Sequence, residues 1–342
     1  MLKQLLITAL AVFAGDATAA HAVERTMLLP GIPAATGTAW QPALLVREQT
    51  IAPADRAHPV LYVHGGTFPS ASSVMFRFNG VSWADELNKA GFSVWSFDFA
   101  GFGGSERYPG MAAQTPAPGE PLGRAPEAAQ QIARVVRSIL AQTGAAKVSI
   151  IAHSWGTIAT GLFVTQNPDL VDRLVFFGPI ARRVQFPPAP PPGPSLGPSP
   201  SPWRFITVAE QYARFTADVP PGHAPLVHDF PLWADLYLTS DATSGSRTPA
   251  SVKTPNGPLA DIASAWSGAL AYDPSRITSP IAIVRGEWDS LCTDTDAAWL
   301  LAALTSAPQK RDIRIAGGTH LMHLEINRGG LYRAAIDFLR RE

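Results

Sequence analysis

The chain has 342 residues, 46% of them hydrophobic and 16% charged. This is ample to bury a large core and too apolar for disorder, and the length suits one large domain with an insertion or two small domains. Lysine plus arginine equals aspartate plus glutamate at 27 each, so no basic excess points to nucleic acid and the charges read as a mixed solvated surface.

Residues 1–22 read as an export signal. Lys3 and the amino terminus give a weakly positive start, residues 5–13 form an apolar run, and Ala17-Thr18-Ala19 and Ala20-His21-Ala22 both fit a cleavage site. The run is too short to span a bilayer comfortably, and no later stretch is long and apolar enough to do so. The expectation is an exported protein, periplasmic or secreted, without stable membrane insertion. The single cysteine, Cys292, allows no intramolecular disulfide and no cysteine-based metal site.

Strand-like and helix-like stretches then alternate. Residues 60–63 are an apolar run ending in His64-Gly65-Gly66. Residues 82–90 have helical spacing and stop at Gly91. Residues 93–97 are strand-like and run into Asp98 and a glycine-rich turn. Residues 126–143 read as a helix with Pro126 in its first turn, Gly144 at its end, and Ile132, Val135, Val136 and Ile139 on one face. Residues 147–151 form a β-branched strand, and residues 155–166 a helix stopped near Asn167-Pro168. Further strands fall at 174–177, 281–284 and 313–315, and residues 331–339 close the chain as an amphipathic helix.

Short continuous apolar strands alternating with helices predict an α/β fold, a mostly parallel sheet covered on both faces. The core is expected at 23–179 and 280–342. Between them, 180–279 reads as a mainly helical cap insertion. It begins with a stiff proline-rich loop at 186–202, where proline forbids regular structure. Residues 203–215 and 230–238 are both helix-compatible and rich in aromatics.

The strongest chemical signal is Ile150-Ile151-Ala152-His153-Ser154-Trp155-Gly156. A strand delivers Ser154 into a tight turn and a helix starts at once. Such a turn strains the nucleophile's backbone and requires small neighbours two positions away on each side, which Ala152 and Gly156 provide. The helix that follows aims its first amides at developing negative charge.

Together with His64-Gly65-Gly66, the turn from Asp98 to Ser105, and a late Asp and His, this elbow resembles the α/β-hydrolase superfamily over residues 59–177 and 280 to the C-terminus. Ala152 stands where glycine is usual. The resemblance implies acyl transfer to water through a covalent acyl-enzyme, with catalytic residues in the order Ser, acid, His. His320, after Gly317-Gly318-Thr319, falls where the family carries its base; His323 is the runner-up, or else a packing residue. Asp289, just past a strand end, falls at the usual acid position, with Glu287, Asp294 and Asp296 read as loop and helix-cap groups. The turn after residue 177 has no carboxylate to offer instead. The oxyanion donors are expected to be the amides of Trp155 and Gly66, with Thr67 as second choice. His64 and Asp98 read as structural, and Cys292 as packing. His320-x-x-His323 lacks the glutamate of a zinc motif, so no metal and no cofactor is expected.

Three functions stay open. The first is a serine hydrolase of carboxylic esters or lactones, acting on a small and apolar ester-type substrate. The aromatics Trp203, Phe205, Tyr212, Phe215, Phe230, Trp233, Tyr237, Trp266 and Tyr272 would either line its pocket or fill the cap's own core. The second is an amidase or aminopeptidase. Trp155 and the His64-Gly-Gly turn resemble proline iminopeptidases, although Thr67-Phe68 replaces their Pro-Gly; Glu210 would then bind the substrate amine. The third is a non-catalytic binding protein on the same fold. Oligomeric state is not legible.

Overall fold

The computed structural model describes residues 22–33, 40–51, 53–183 and 201–340. The expected export signal lies outside the described residues except for Ala22, as does the proline-rich loop except for Ser201 and Pro202.

In chain order, the first half comprises β1 (Val23–Leu29), β2 (Leu44–Thr50), β3 (Pro59–Val63), α1 (Trp83–Lys89), β4 (Ser93–Phe97), α2 (Ala125–Thr143), β5 (Val148–His153), α3 (Gly156–Gln166) and β6 (Val171–Phe177). Next come β7 (Trp203–Thr207), α4 (Val208–Thr216), α5 (Phe230–Thr239), β8 (Ser251–Pro255) and α6 (Gly257–Trp266). The chain ends with β9 (Ile281–Gly286), α7 (Asp294–Ala303), β10 (Lys310–Ile315) and α8 (Gly329–Leu339).

Eight strands form one sheet in the order β1-β2-β4-β3-β5-β6-β9-β10. The six from β4 to β10 run parallel; β2 pairs antiparallel with β4, and β1 antiparallel with β2. Through the middle of the sheet, side chains alternate between the two faces, as a period of two dictates. Leu61, Val63, Ile150, Ala152, Leu174, Phe176, Ile281 and Ile283 meet α2, α3 and α7 on one face. Val60, Tyr62, Ile151, Val175, Phe177, Ala282 and Val284 meet α1 and α8 on the other.

The expected stripe of α2 is buried in full, at Ile132, Val135, Val136 and Ile139. Burying each such side chain stabilises the fold by about 1.5–3 kcal/mol. The helix stops where Gly144 turns left-handed at φ 71°. In α1, a capping box closes the first turn: the Asp85 N–H donates to Ser82 Oγ at 3.0 Å and the Ser82 N–H to Asp85 Oδ2 at 2.8 Å.

Two regions differ from expectation. Strands β1 and β2 were not anticipated, because β2 carries Arg47, Glu48 and Gln49 in a single run. Its buried Glu48 carboxylate is held by Arg25 at 3.1 Å and Arg56 at 2.8 Å. The stretch 203–215 is not one helix. Residues 203–207 form β7, which pairs antiparallel with β8, so the segment between β6 and β9 is helical but also carries a two-stranded sheet. Thr207 caps α4 through a box with Glu210, which fixes the switch from strand to helix.

Candidate active site

Ser154 stands at the carboxyl end of the central strand β5, where parallel sheets place their chemistry. Its φ is 56°, in the left-handed region that costs a residue with a side chain about 1–2 kcal/mol. The turn is pinned on both sides. The Ser154 N–H donates to the Phe177 carbonyl at 3.0 Å, and the Thr157 N–H to the Ser154 carbonyl at 2.9 Å. Gly156 opens α3 pressed against the preceding loop, where a Cβ would lie 2.5 Å from the His64 carbonyl oxygen. That contact is why the second position after Ser154 must be glycine.

The loop after β3 folds over this elbow. A Cβ at Gly65 would be 3.2 Å from both Ser154 Cβ and His153 Nδ1, and one at Gly66 2.7 Å from the Pro258 side chain and 3.7 Å from Trp155 Cβ. Gly66 thus packs beside Trp155 and lines the cavity over Ser154. The loop is braced by His64, whose Nδ1–H donates to the Gly65 carbonyl at 2.7 Å while its Nε2 accepts from the Phe99 N–H at 3.1 Å. Burial lowers the His64 pKa to about 4, against the pull of the Asp98 charge, so the ring is a neutral brace. Asp98 accepts from Arg47, Ser70 and the Gly104 amide; both residues are structural, as expected. From α4, Gln211 Nε2 adds a bond to the Thr67 carbonyl at 3.2 Å.

Asp289 and His320 meet. His320 Nδ1 lies 2.9 Å from Asp289 Oδ1 and 3.0 Å from Oδ2, and both residues are buried. Asp289 Oδ1 also accepts from the Leu291 and Cys292 amides at 2.9 Å, so the carboxylate is fixed from behind. Nδ1 therefore carries a proton directed at the carboxylate. His320 Nε2 is buried without a hydrogen-bond partner. No bond joins it to Ser154 Oγ; such contacts are often loose in a free enzyme and close in the substrate complex. His320 and Asp289 press on Gly178, φ 53°, where a Cβ would lie 2.9 Å from His320 Cε1 and Nδ1 and 3.0 Å from Asp289 Oδ2, and the preceding Phe177 carbonyl holds the Ser154 amide.

The competing candidates are engaged elsewhere. Glu287 pairs with Arg314, Asp294 with Arg285, and Asp296 with Arg183 while capping α7. His323 is buried with neither ring nitrogen bonded, stacks on Phe68, and is pushed down to about 3 by burial and by the charge of His320. It is a packing residue. Burial raises the Cys292 thiol well above its ordinary value, which suits packing. Among the described residues no group of histidines, cysteines and carboxylates is arranged to hold a metal, and no helix is long and apolar enough to cross a membrane.

Four functional neighbours were not read from the sequence. His153 donates through Nε2 to the His320 carbonyl at 3.0 Å. Asp261 of α6 accepts from the Trp155 indole at 2.9 Å, from the first amide of α2 at 2.7 Å and from Arg124. Gly178 makes room for Asp289 and His320. Arg214 of α4 forms part of the wall of the cavity over Ser154, along with Gly66, Phe68 and Leu321. Each is far from Ser154 in sequence or masked by an ordinary local role; only His153, beside the nucleophile, carried a local signal.

That cavity is narrow, with ≈ 10 Å³ of free space, about enough for one water. None of the nine aromatics of the expected pocket lines it. Phe215, Phe230, Trp233 and Tyr237 pack with Phe68 and Phe78, Trp203 and Phe205 pack with Tyr108, and Trp266 and Tyr272 join the core under α3. Glu210 does not face the cavity as an amine-binding group: its carboxylate is taken by the amide and hydroxyl of Thr207 at 2.7 and 2.8 Å.

The family model for the alpha/beta hydrolase fold matches residues 58–325, and the chain belongs to that family. Three solved structures set the range of its likeness. One is 2-hydroxy-6-oxo-6-phenylhexa-2,4-dienoate hydrolase from Rhodococcus sp. strain RHA1, 16% identical, with 93% of this chain and 100% of that chain covered and a TM-score of 0.59. Another is the thioesterase domain from the curacin biosynthetic pathway, 14% identical, with 92% and 99% covered and a TM-score of 0.57. The third is Est1E from Butyrivibrio proteoclasticus with ferulic acid bound, 14% identical, with 87% and 94% covered and a TM-score of 0.53. At such identities the likeness speaks for the fold. No curated protein matches the chain.

Proposed function

We propose that the chain is a serine hydrolase of carboxylic esters, with Ser154 as nucleophile, His320 as base, Asp289 as the orienting acid, and the Gly66 and Trp155 amides as oxyanion donors. One observation carries the reading: a serine strained to φ 56° just before α3 is tied by its amide to the Phe177 carbonyl, next to the Gly178 against which a buried Asp289–His320 pair packs, and Nε2 of that pair has no hydrogen-bond partner.

In this mechanism Ser154 Oγ attacks the ester carbonyl carbon, and its proton passes to His320 Nε2. The imidazolium is stabilised by Asp289 through Nδ1–H. The carbonyl oxygen becomes an oxyanion held by the two amides. The C–O bond to the alcohol breaks, and the alcohol leaves with the proton from Nε2. Water then attacks the acyl-serine with the same base, and the acid leaves as Ser154 regains its proton. The segment between β6 and β9 acts as a cap whose wall yields to admit the substrate, because the free space above Ser154 holds about one water. Export through residues 1–22 belongs to the same reading.

An aminopeptidase needs a carboxylate for the substrate amine. The cap offers Arg214 at the cavity and keeps Glu210 in a capping box, which favours esters over aminoacyl amides. The test is whole-protein mass spectrometry after treatment with a fluorophosphonate. One adduct is expected, absent in Ser154→Ala, followed by turnover of p-nitrophenyl esters. No adduct on folded protein would turn the reading to a binding protein.

A further inference from the structure

The cavity over Ser154 has a cation in its wall. Arg214 lies on α4, and among the described residues its guanidinium forms neither a hydrogen bond nor an ion pair. The residue keeps some exposure, yet its charged end sits among enough protein for burial to lower its pKa, with the charges of Tyr237 and Asp218 opposing. The nearby carboxylates are occupied. Asp218 accepts from the Ser290 amide at 3.3 Å, Glu210 is held by Thr207, and Asp289 by His320.

A second guanidinium sharpens the imbalance. Arg204, on β7, bonds Asn256 Oδ1 at 2.5 Å, and its Nε is buried without a partner. Burial lowers its pKa to about 10, and the charge of Arg214 pushes in the same direction. Two positive groups thus sit near one another with no anion pairing either of them. A protein-embedded charge is costly until it is paired. A guanidinium with free N–H groups is built to take a carboxylate through two parallel bonds.

We propose that Arg214 is the specificity residue of this site, receiving a carboxylate carried by the substrate away from the scissile bond. The preferred substrates are then anionic esters, such as hemiesters of dicarboxylic acids, rather than the wholly apolar esters expected from the aromatic content. The inference rests on Ser154 being the nucleophile of an ester hydrolase, and the two claims separate experimentally.

The experiment compares kcat/KM for the mono-p-nitrophenyl ester of glutaric acid with that for its neutral methyl ester counterpart, in wild type, Arg214→Gln and Arg214→Lys. The wild type is expected to prefer the anionic ester at least about tenfold. Arg214→Gln should reduce that preference about 10- to 100-fold, the range for a hydrogen bond to a charged group, and Arg214→Lys should retain part of it. Equal rates for the two esters in wild type, or an unchanged ratio in Arg214→Gln, would overturn the proposal. Fluorophosphonate labelling of the same preparations reports Ser154 separately: an adduct with a flat ratio removes Arg214's role and leaves the serine hydrolase. Calorimetric binding of monomethyl glutarate to Ser154→Ala, with and without Arg214→Gln, needs no turnover. Binding weakened at least about tenfold by the second substitution supports the proposal, and equal binding removes it.

Discussion

His153 and His320 are 167 positions apart, yet the ring of the first holds the backbone of the second, Nε2 to carbonyl oxygen at 3.0 Å. The residue before Ser154 therefore sets the height of the loop that carries His320. Its ring stacks on Phe177, with centroids 4.4 Å apart, and burial next to His323 and His320 keeps its pKa well below the usual value. A neutral His153 protonated at Nε2 is what the bond requires. His153→Phe should keep the stacking and lose the bond. Expected is a roughly tenfold fall in kcat, the worth of about one hydrogen bond, with KM and the urea midpoint little changed. An unchanged kcat would show that the loop holds itself.

Asp289 holds His320 through Nδ1. Asp289→Asn should leave the fold intact and lower kcat by up to about ten-thousand-fold, because the amide presents an N–H toward Nδ1. Steady-state kinetics on a p-nitrophenyl ester checks this, with circular dichroism to confirm folding. A rate within tenfold of wild type would move the acid elsewhere.

Gly178 is expected to tolerate no side chain. Alanine there would meet His320 and Asp289 at about 3 Å and adopt φ 53°, a conformation costing about 1–2 kcal/mol. Gly178→Ala should lower stability by at least that amount in urea titration and slow the reaction more than tenfold, since the base must shift. Wild-type activity with lowered stability would mean the pair adapts.

Stability should fall in mild acid. Burial lowers His64 to about 4 and His323 to about 3, and His153 moves the same way. Unfolded, all three titrate near 6.5, so their contribution is full above that pH and is lost as pH falls. Glu325 runs opposite: burial, opposed by the Thr319 bonds, raises it to about 7, so its contribution is full below the unfolded value of about 4.3 and is lost as pH rises through 7. Near pH 5.5, unfolding takes up three protons and releases one. The net of about two gives a slope of roughly 3 kcal/mol per pH unit. Urea midpoints should drop from pH 6.5 to pH 5, and Glu325→Gln should steepen the drop. A flat profile would contradict the buried neutral histidines.

Most of the sheet was legible because its central strands are buried on both faces and read as continuous apolar runs. The elbow at Ser154 and the Gly317-Gly318-Thr319-His320 turn were legible for a related reason, since each is a local backbone demand written in small residues. β2 was not, because Glu48 and Gln49 are buried in it by pairing with residues distant in sequence. β7 was masked because aromatic spacing over 203–215 fits a helix as well as a strand. The Thr207–Glu210 capping box was the local sign of where the helix begins. Arg214 and Asp261 belong to no local motif, and only long-range packing turns them toward the site.

Asp261 limits how this enzyme can be rebuilt. One carboxylate from the segment between β6 and β9 satisfies both the Trp155 indole and the first amide of α2. That segment is therefore no interchangeable module. A chimera that grafts a relative's segment onto this sheet must bring an acceptor to the same spot, or two buried donors, the Trp155 indole and the Ala125 amide, are left orphaned. Recombination between such enzymes is then expected to succeed only where the exchanged piece carries a matching carboxylate.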